Sequence, residues 1–233
     1  MNSVTVPGFL EPEEIPLCLT EVHRLETDGL LQRYDNPFEA KWFLADKTNL
    51  PTHLAAAFGW LRNGTTQWWI SHLLGVPITT VDFNHYGGLF IYQPGDYLKA
   101  HVDAGVHPRF SNFRKVATAL LYLTVAELET YSGDTCLKDD PLVWSRNYHL
   151  YKPGDLVVFN NTDTAWHGVP TCRDRRVVLT VSYLADSFDH AHYQNPRTRA
   201  YFCKTLWDKE TPELTELRKL RVEAPEQVYR TGR

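Results

Sequence analysis

Short apolar stretches separated by turn residues make up the middle of the chain. They are rich in β-branched and aromatic residues, as in "VATALLYLTV", "LVVFNN" and "RRVVLTVSYLA". Turn residues interrupt them roughly every 8–12 positions, a spacing that is typical of all-β sandwiches and barrels. The pattern therefore predicts a β core over residues 79–186.

The pattern changes on both sides of this core. Apolar residues recur at helical spacing, and a Thr cap is expected at the start of the third such stretch. The predicted helices cover residues 11–26, 49–64, 65–75, 197–207 and 211–224. The sequence therefore predicts a single domain over residues 1–233, with mostly helical support in 1–78 and a C-terminal helical extension in 187–233.

Composition narrows the classes of function. Of the 233 residues, 43% are hydrophobic and 13% aromatic, which suffices for a sizeable core and an aromatic-lined cavity. The formal net charge is −4 and no basic stripe is present, so no nucleic-acid partner is expected. No signal peptide and no apolar run near the ~18 residues of a membrane span is found, so no membrane partner is expected either.

The four cysteines lie far apart and form no C-x-x-C pair. This spacing argues against structural zinc, and the chain is too long to need a disulfide framework. Reduced thiols in a cytoplasmic protein are the simplest interpretation. The sequence leaves the oligomeric state open.

A His-x-Asp pair in "YLKAHVDAGVHPRF" is the first candidate for chemistry. Side chains alternate along a strand, so His101 and Asp103 face the same side and could bind one metal ion. His167, just before a Gly-Val-Pro turn, is the candidate third ligand. Two histidines and one carboxylate leave about three positions open on an octahedral metal, which favours non-haem Fe(II), although zinc or manganese also fits. Taken alone, such residues are more often a solvated pair and a turn histidine.

Arg176 strengthens the case for a site. On its predicted strand Arg176 and Thr180 share one face, while Val177 and Leu179 belong to the opposite, core-packing face. An arginine that points into a barrel is costly unless it meets an anion. A cosubstrate with a carboxylate would meet this requirement, with the Thr180 hydroxyl as an extra donor. The neighbouring Arg175 is expected to face outward.

With these residues in place, the sequence resembles the prolyl 4-hydroxylase-like branch of the 2-oxoglutarate/Fe(II)-dependent oxygenase superfamily. The pieces that carry the resemblance are "YQPGDYLKAHVD", "VATALLYLT", "YKPGDLVVFNN", "AWHGVP" and "RRVVLTVSYL", in family order. The resemblance implies a mainly β fold, a double-stranded β-helix (jelly roll, cupin-like) packed against N-terminal and C-terminal helices. It also implies a dioxygenase that uses Fe(II), 2-oxoglutarate and O2.

The resemblance further implies roles for individual residues. The iron ligands would be His101, Asp103 and His167. The distal carboxylate of 2-oxoglutarate would bind Arg176, with three residues beside the cosubstrate: Thr180, Tyr122 and Tyr92. Related halogenases have Gly or Ala at the carboxylate position, so Asp103 predicts hydroxylation, with release of succinate and CO2, and not halogenation.

The substrate is less well defined, because "YSGDTCLKDD" stands where the family usually has a Gly-Gly-x-Leu stretch. Candidate substrate residues are Asn84, Tyr97, Arg114 and Trp144. The favoured hypothesis is hydroxylation of a small molecule, such as an amino acid or a natural-product intermediate. The alternatives are a peptidyl prolyl hydroxylase and, from another class, a non-catalytic metal-binding jelly-roll protein that binds a ligand.

Overall fold

The computed structural model describes residues 3–48, 50–103, 105, 107, 112–132, 145–162, 164–186 and 201–202, and within these it leaves out the side chains of 82–86, 132, 145–146 and 201–202. Its strands are β1 (Ser3–Val6), β2 (Leu31–Asn36), β3 (Glu39–Leu44), β4 (Thr80–Tyr92), β5 (Tyr97–Val102), β6 (Phe113–Tyr122), β7 (Ala126–Ser132), β8 (Ser145–Tyr151), β9 (Leu156–Asn160), β10 (His167–Val169), β11 (Arg176–Asp186) and β12 (Tyr201–Phe202). Its helices are α1 (Glu14–Thr27), α2 (Thr52–Arg62) and α3 (Gly64–Leu74).

The strand order identifies a jelly roll. One four-stranded antiparallel sheet contains β9, β6, β11 and β4 in that order, and the other contains β5, β10, β7 and β8. Strand β3 pairs with both β4 and β5 and so joins the two sheets along one side. Strand β1 extends the first sheet beyond β9. The predicted fold class, a mainly β jelly-roll core, is confirmed, and so are the helices that pack on it from the N-terminal part.

The first sheet separates two apolar clusters, as the alternation on β11 predicts. Val177, Leu179 and Val181 belong to the larger cluster, which the helices also join through residues such as Leu54 and Ile70. Val178 belongs to the second cluster, inside the barrel, together with buried residues that include Tyr92, Tyr122, Phe159 and Val169. Burial of apolar surface on both faces stabilises this sheet by roughly 25 cal/mol per Å² removed from water.

The three helices begin and end close to the predicted positions. Pro16 lies in the first turn of α1, where its missing N–H breaks no helical hydrogen bond. The expected Thr cap of α3 is wrong, because Asn63 caps this helix by accepting a hydrogen bond from the Thr66 N–H. Gly75 ends α3 with φ of 65°, a left-handed conformation that favours glycine.

Two elements differ from the prediction. Residues 31–44, assigned to mostly helical support, form the β2–β3 hairpin, whose turn is held by the Asn36 side chain accepting from the Phe38 and Glu39 N–H groups. The prediction of a helix over 197–207 is wrong in part, because Tyr201–Phe202 form a strand that pairs with β5. The remaining residues of that helix, and the helix predicted over 211–224, lie outside the described residues. No helix in the described ranges has the length and apolar character that a membrane crossing needs.

Candidate metal centre and its surroundings

A β-bulge in β5 sets the direction of the first predicted metal ligand. Strands β5 and β10 pair so that two residues, Lys99 and Ala100, stand opposite the single residue Gly168. An extra residue of this kind interrupts the alternation of side chains. Leu98, which packs in the barrel cluster, and His101 therefore both face the interior.

The structure brings the three predicted metal ligands together. His101, Asp103 and His167 each offer one ligand atom, and these atoms lie within 4.8 Å of one another. The two histidines are register partners on β5 and β10, with ring centroids 4.3 Å apart. Both are buried, and the Asp103 side chain is only 13% exposed. One carboxylate and two imidazoles at these separations form a donor set that suits a divalent transition metal.

Backbone carbonyl groups orient both imidazole rings in the same way. Nδ1 of His101 donates to the Lys99 carbonyl oxygen at 2.9 Å, and Nδ1 of His167 donates to the Ala165 carbonyl oxygen at 2.9 Å. Because a carbonyl only accepts, each Nδ1 carries the proton and each Nε2 keeps its lone pair. Nε2 of His101 lies 3.6 Å from Oδ1 of Asp103, a separation that lets both atoms bind one metal ion.

The electrostatic environment favours the ligand forms of these side chains. Burial first, and then the neighbouring His101, lower the pKa of His167 to about 3, so its ring is neutral near pH 7. Burial by itself would raise the pKa of Asp103. Lys115 and the two histidines act in the opposite direction more strongly and hold that pKa well below its usual range. An ionised carboxylate and a neutral imidazole are the forms that bind metals.

Arg176 lies buried in the barrel between two tyrosines. Its guanidinium carbon is 4.6 Å from the centroid of the Tyr92 ring and 5.4 Å from that of Tyr122. Within the described residues, Nε of Arg176 and the hydroxyl of Tyr122 are buried without a hydrogen-bond partner. Each such group costs about 1–3 kcal/mol, so together they mark a place for the acceptor atoms of a ligand. A carboxylate matches the arginine fork, and the predicted dicarboxylate cosubstrate therefore fits.

Thr180 lies on the same strand and face as Arg176 and is half-buried. It pairs with Gly88 of β4 and Leu120 of β6. Just beyond it, the register of β4 against β11 skips residues 83–86. This irregularity in β4 lies beside the predicted cosubstrate residues.

Of the four predicted substrate residues, the structure describes the side chains of Tyr97 and Arg114, which lie on different strands. Tyr97 precedes the β5 bulge and faces away from the interior, and its hydroxyl donates to the Asn36 carbonyl oxygen at 3.0 Å. Arg114 is half-buried on β6, opposite Ala185. The side chain of Asn84 and all of Trp144 lie outside the described residues. The assignment of these four residues to a substrate stays a prediction.

Sequence reasoning missed three polar residues that support Asp103. Oδ2 of Asp103 accepts from Nζ of Lys115 at 2.7 Å and from Oγ1 of Thr118 at 2.8 Å. Thr118 in turn bonds Asn161, whose Nδ2 lies 3.2 Å from the threonine oxygen. The available signal was a lysine and a threonine in the apolar stretch "KVATALLYL", followed by the Asn pair of "FNN".

Sequence reasoning also missed a buried ion pair on β3. Nζ of Lys41 lies 2.7 Å from Oε2 of Glu39, and their side chains are 9% and 3% exposed. Lys41 stands 4.5 Å from the centroid of the Phe90 ring. The register of β3 against β4 puts Lys41 next to Tyr92, the tyrosine that contacts Arg176.

The β core is similar to a known protein family. Residues 85–183 match the family model described as the 2OG-Fe(II) oxygenase superfamily. No match to a curated protein was found.

Solved structures share the fold at low sequence identity. A Pseudomonas putida prolyl-4-hydroxylase is 17% identical with a TM-score of 0.58, over 78% of this chain and 91% of that chain. The carbocyclase SnoK from nogalamycin biosynthesis is 15% identical with a TM-score of 0.53, over 78% and 79% of the two chains. A Trichoplax adhaerens prolyl hydroxylase, in complex with a hypoxia inducible factor peptide fragment, is 14% identical with a TM-score of 0.50, over 78% and 82%.

Proposed function

Because residues 85–183 belong to the 2OG-Fe(II) oxygenase superfamily, and the protein is therefore a dioxygenase that uses Fe(II) and 2-oxoglutarate, we propose that it hydroxylates an unactivated C–H bond of a small molecule. The superfamily, the enzyme class and the cofactors predicted from sequence are confirmed by the family match. The substrate and the residue roles that follow are the proposal.

The observation that carries the proposal is the convergence of His101, Asp103 and His167. We assign Fe(II) to the two Nε2 atoms and to Oδ1 of Asp103. When bound, iron supplies the activation of O2, coupled to the conversion of 2-oxoglutarate to succinate and CO2. The protein contributes fixed ligand orientation, through the carbonyl groups that hold both Nδ1–H groups, and a buried environment that excludes water.

We assign the distal carboxylate of 2-oxoglutarate to Arg176. The buried Nε of Arg176 and the hydroxyl of Tyr122 are donors that this carboxylate would satisfy. Thr180 supplies a further hydroxyl from the same strand, and Tyr92 supports the guanidinium through its ring. A cosubstrate held at this end by Arg176 would be fixed in position before the reaction.

A small molecule is the favoured substrate class. The net charge of −4 and the absence of a basic stripe from the sequence argue against a nucleic acid as substrate. SnoK, which shares the fold, acts in nogalamycin biosynthesis, and this supports a natural-product intermediate or an amino acid. A prolyl residue in a peptide is the second candidate, supported by the shared fold of the two prolyl hydroxylases. Because Asp103 fills the ligand position, we expect hydroxylation and not halogenation when chloride is present.

The first test is anaerobic addition of Fe(II) and 2-oxoglutarate to the purified protein. A weak visible charge-transfer band is expected, and it should be absent from His101→Ala and retained in His23→Ala, whose side chain is 75% exposed. Succinate formation in air, with free amino acids compared against proline-rich peptides, then distinguishes the two substrate classes. No band, and no succinate with either panel, would instead favour the non-catalytic jelly-roll protein that binds a ligand without oxidising it.

A further inference from the structure

The carboxylate of Asp103 is held by two donors on one oxygen. Nζ of Lys115 lies 2.7 Å and Oγ1 of Thr118 lies 2.8 Å from Oδ2, while Oδ1 is the oxygen nearer His101. We propose that Lys115 and Thr118 are positioning residues that make Asp103 a one-oxygen ligand. This inference rests on the proposed function, in which Asp103 binds Fe(II).

A second β-bulge brings the two donors to the same oxygen. On β6, Ala117 pairs with Tyr183 and Lys115 pairs with the next residue, Leu184, so Val116 is the extra residue. Without the bulge, residues 115 and 118, three apart, would face opposite sides of the sheet. With it, both side chains face the interior while Val116 packs in the outer apolar cluster. The local backbone is therefore built to place an ammonium and a hydroxyl together.

The hydroxyl of Thr118 is itself directed by Asn161. Nδ2 of Asn161 donates to Oγ1 of Thr118 at 3.2 Å. The Thr118 proton has two acceptors within reach, Oδ1 of Asn161 at 3.3 Å and Oδ2 of Asp103 at 2.8 Å, and the shorter contact is the one to Asp103. The backbone N–H of Asn161 donates to the Val116 carbonyl oxygen at 2.8 Å, at the bulge itself. The bulge, the amide and the hydroxyl thus form one connected support for a single carboxylate oxygen.

The cost of burying Lys115 favours a role for it in metal binding. Burying a lysine ammonium is costly, and an apolar residue in its place is often as stable. Here the ammonium and the hydroxyl together satisfy Oδ2, so the carboxylate cannot rotate to offer both oxygens to a metal without losing two hydrogen bonds. One-oxygen binding leaves coordination positions for the cosubstrate and for O2. Partners of metal ligands typically contribute about 10–100-fold to metal affinity or activity.

The test uses the anaerobic charge-transfer band, measured as a function of Fe(II) at saturating 2-oxoglutarate, without turnover. Thr118→Val removes the hydroxyl and Thr118→Ser keeps it; Lys115→Met removes the ammonium and Lys115→Arg keeps the charge. We expect the Val and Met variants to raise the half-saturating Fe(II) concentration at least ~10-fold, and the Ser and Arg variants to stay within about 3-fold of wild type.

Folding of each variant is checked by its thermal unfolding midpoint in the metal-free state. If Lys115→Met does not fold, Asn161→Ala provides the test, because it removes the donor that orients Thr118 while Lys115, Thr118 and Asp103 remain. It should weaken Fe(II) binding in the same direction as Thr118→Val. Folded Val and Met variants that bind Fe(II) like wild type, or more tightly, would overturn the inference. A wild-type protein without any band would instead count against the proposed function.

Discussion

Gly168 packs directly on the backbone of Leu98, the residue that precedes the β5 bulge. A methyl group at position 168 would lie 2.8 Å from the Leu98 carbonyl oxygen and 3.2 Å from the Ala100 nitrogen. Both contacts are with backbone atoms, which cannot move aside as a flexible side chain can. A residue without a Cβ atom is therefore part of what allows the bulge to turn His101 into the barrel.

Gly168→Ala should consequently disturb both stability and the metal centre. We expect the free energy of unfolding to fall by roughly 1–3 kcal/mol, the range for overpacking a well-packed site, and the anaerobic charge-transfer band to weaken. The matched control is Gly59→Ala in α2, where an added methyl group meets no atom within 4 Å. Because alanine is the better helix former, this control should raise the free energy of unfolding by about 0.5–1 kcal/mol. Equal effects of the two substitutions in urea unfolding would contradict the role given to Gly168.

At the same bulge, the alternation of side chains no longer predicts which way a residue faces. Alternation predicted the two faces of β11 correctly, because its pairing with β4 is regular from Arg176 to Val181. It would also place Tyr97, a candidate substrate residue, on the same face as His101, since the two positions are four residues apart. The bulge between them puts the two side chains on opposite faces, and nothing in the local sequence specifies the extra residue.

The fold and the convergence of His101, Asp103 and His167 could be predicted because motifs and turn residues specify them. The β2–β3 hairpin could not, since its strands read "LQRYDN" and "EAKWFL" and both carry charged residues. Those of β3, Glu39 and Lys41, are buried where β3 joins the two sheets. The contact of Lys115 with Asp103 could not be predicted for a related reason. Its partner, Asp103, lies on another segment, and they meet only through the bulge at Val116.

Arg176→Ala tests the binding site for the distal carboxylate. One charge-assisted bidentate contact contributes roughly 1.5–3 kcal/mol, so the half-saturating 2-oxoglutarate concentration should rise at least ~10-fold. Arg175→Ala is the matched control, because Arg175 points outward and its Nη2 bonds Oε2 of Glu26 on α1 at 2.8 Å. The measurement is succinate formation or the charge-transfer band against 2-oxoglutarate concentration. If Arg175→Ala has the larger effect, the assignment is wrong.

The Glu39–Lys41 pair makes a prediction about stability. Removing one partner of a buried pair leaves a buried charge, so Lys41→Met alone should lower the free energy of unfolding by about 3–5 kcal/mol. The double variant with Glu39→Gln should cost less than the sum of the two single changes, because no uncompensated charge remains. Urea unfolding of the four proteins in the cycle gives this coupling energy. Additive effects would show that the two side chains contribute independently, despite their 2.7 Å separation.

His167 should make the metal-free protein sensitive to mild acid. Its pKa is lowered to about 3 by burial and by His101, whereas an unfolded histidine titrates near 6.5. Between these values the unfolded chain binds a proton that the folded chain does not. The free energy of unfolding is therefore fully retained above about pH 6.5 and is lost as the pH falls, by roughly 2 kcal/mol at pH 5 from this one group.

The experiment is urea unfolding from pH 8 to pH 5 with a chelator present. His167→Gln keeps a polar side chain but cannot take up the proton, so its stability should depend less steeply on pH over this range. His23→Gln is the matched control, because it makes the same substitution at a side chain that is 75% exposed. The pKa of Asp103 is held well below its usual range, so Asp103 does not contribute to the slope between pH 8 and pH 5. An undiminished slope in His167→Gln would mean that other groups cause the acid sensitivity, and that the ring of His167 is not held neutral by its burial.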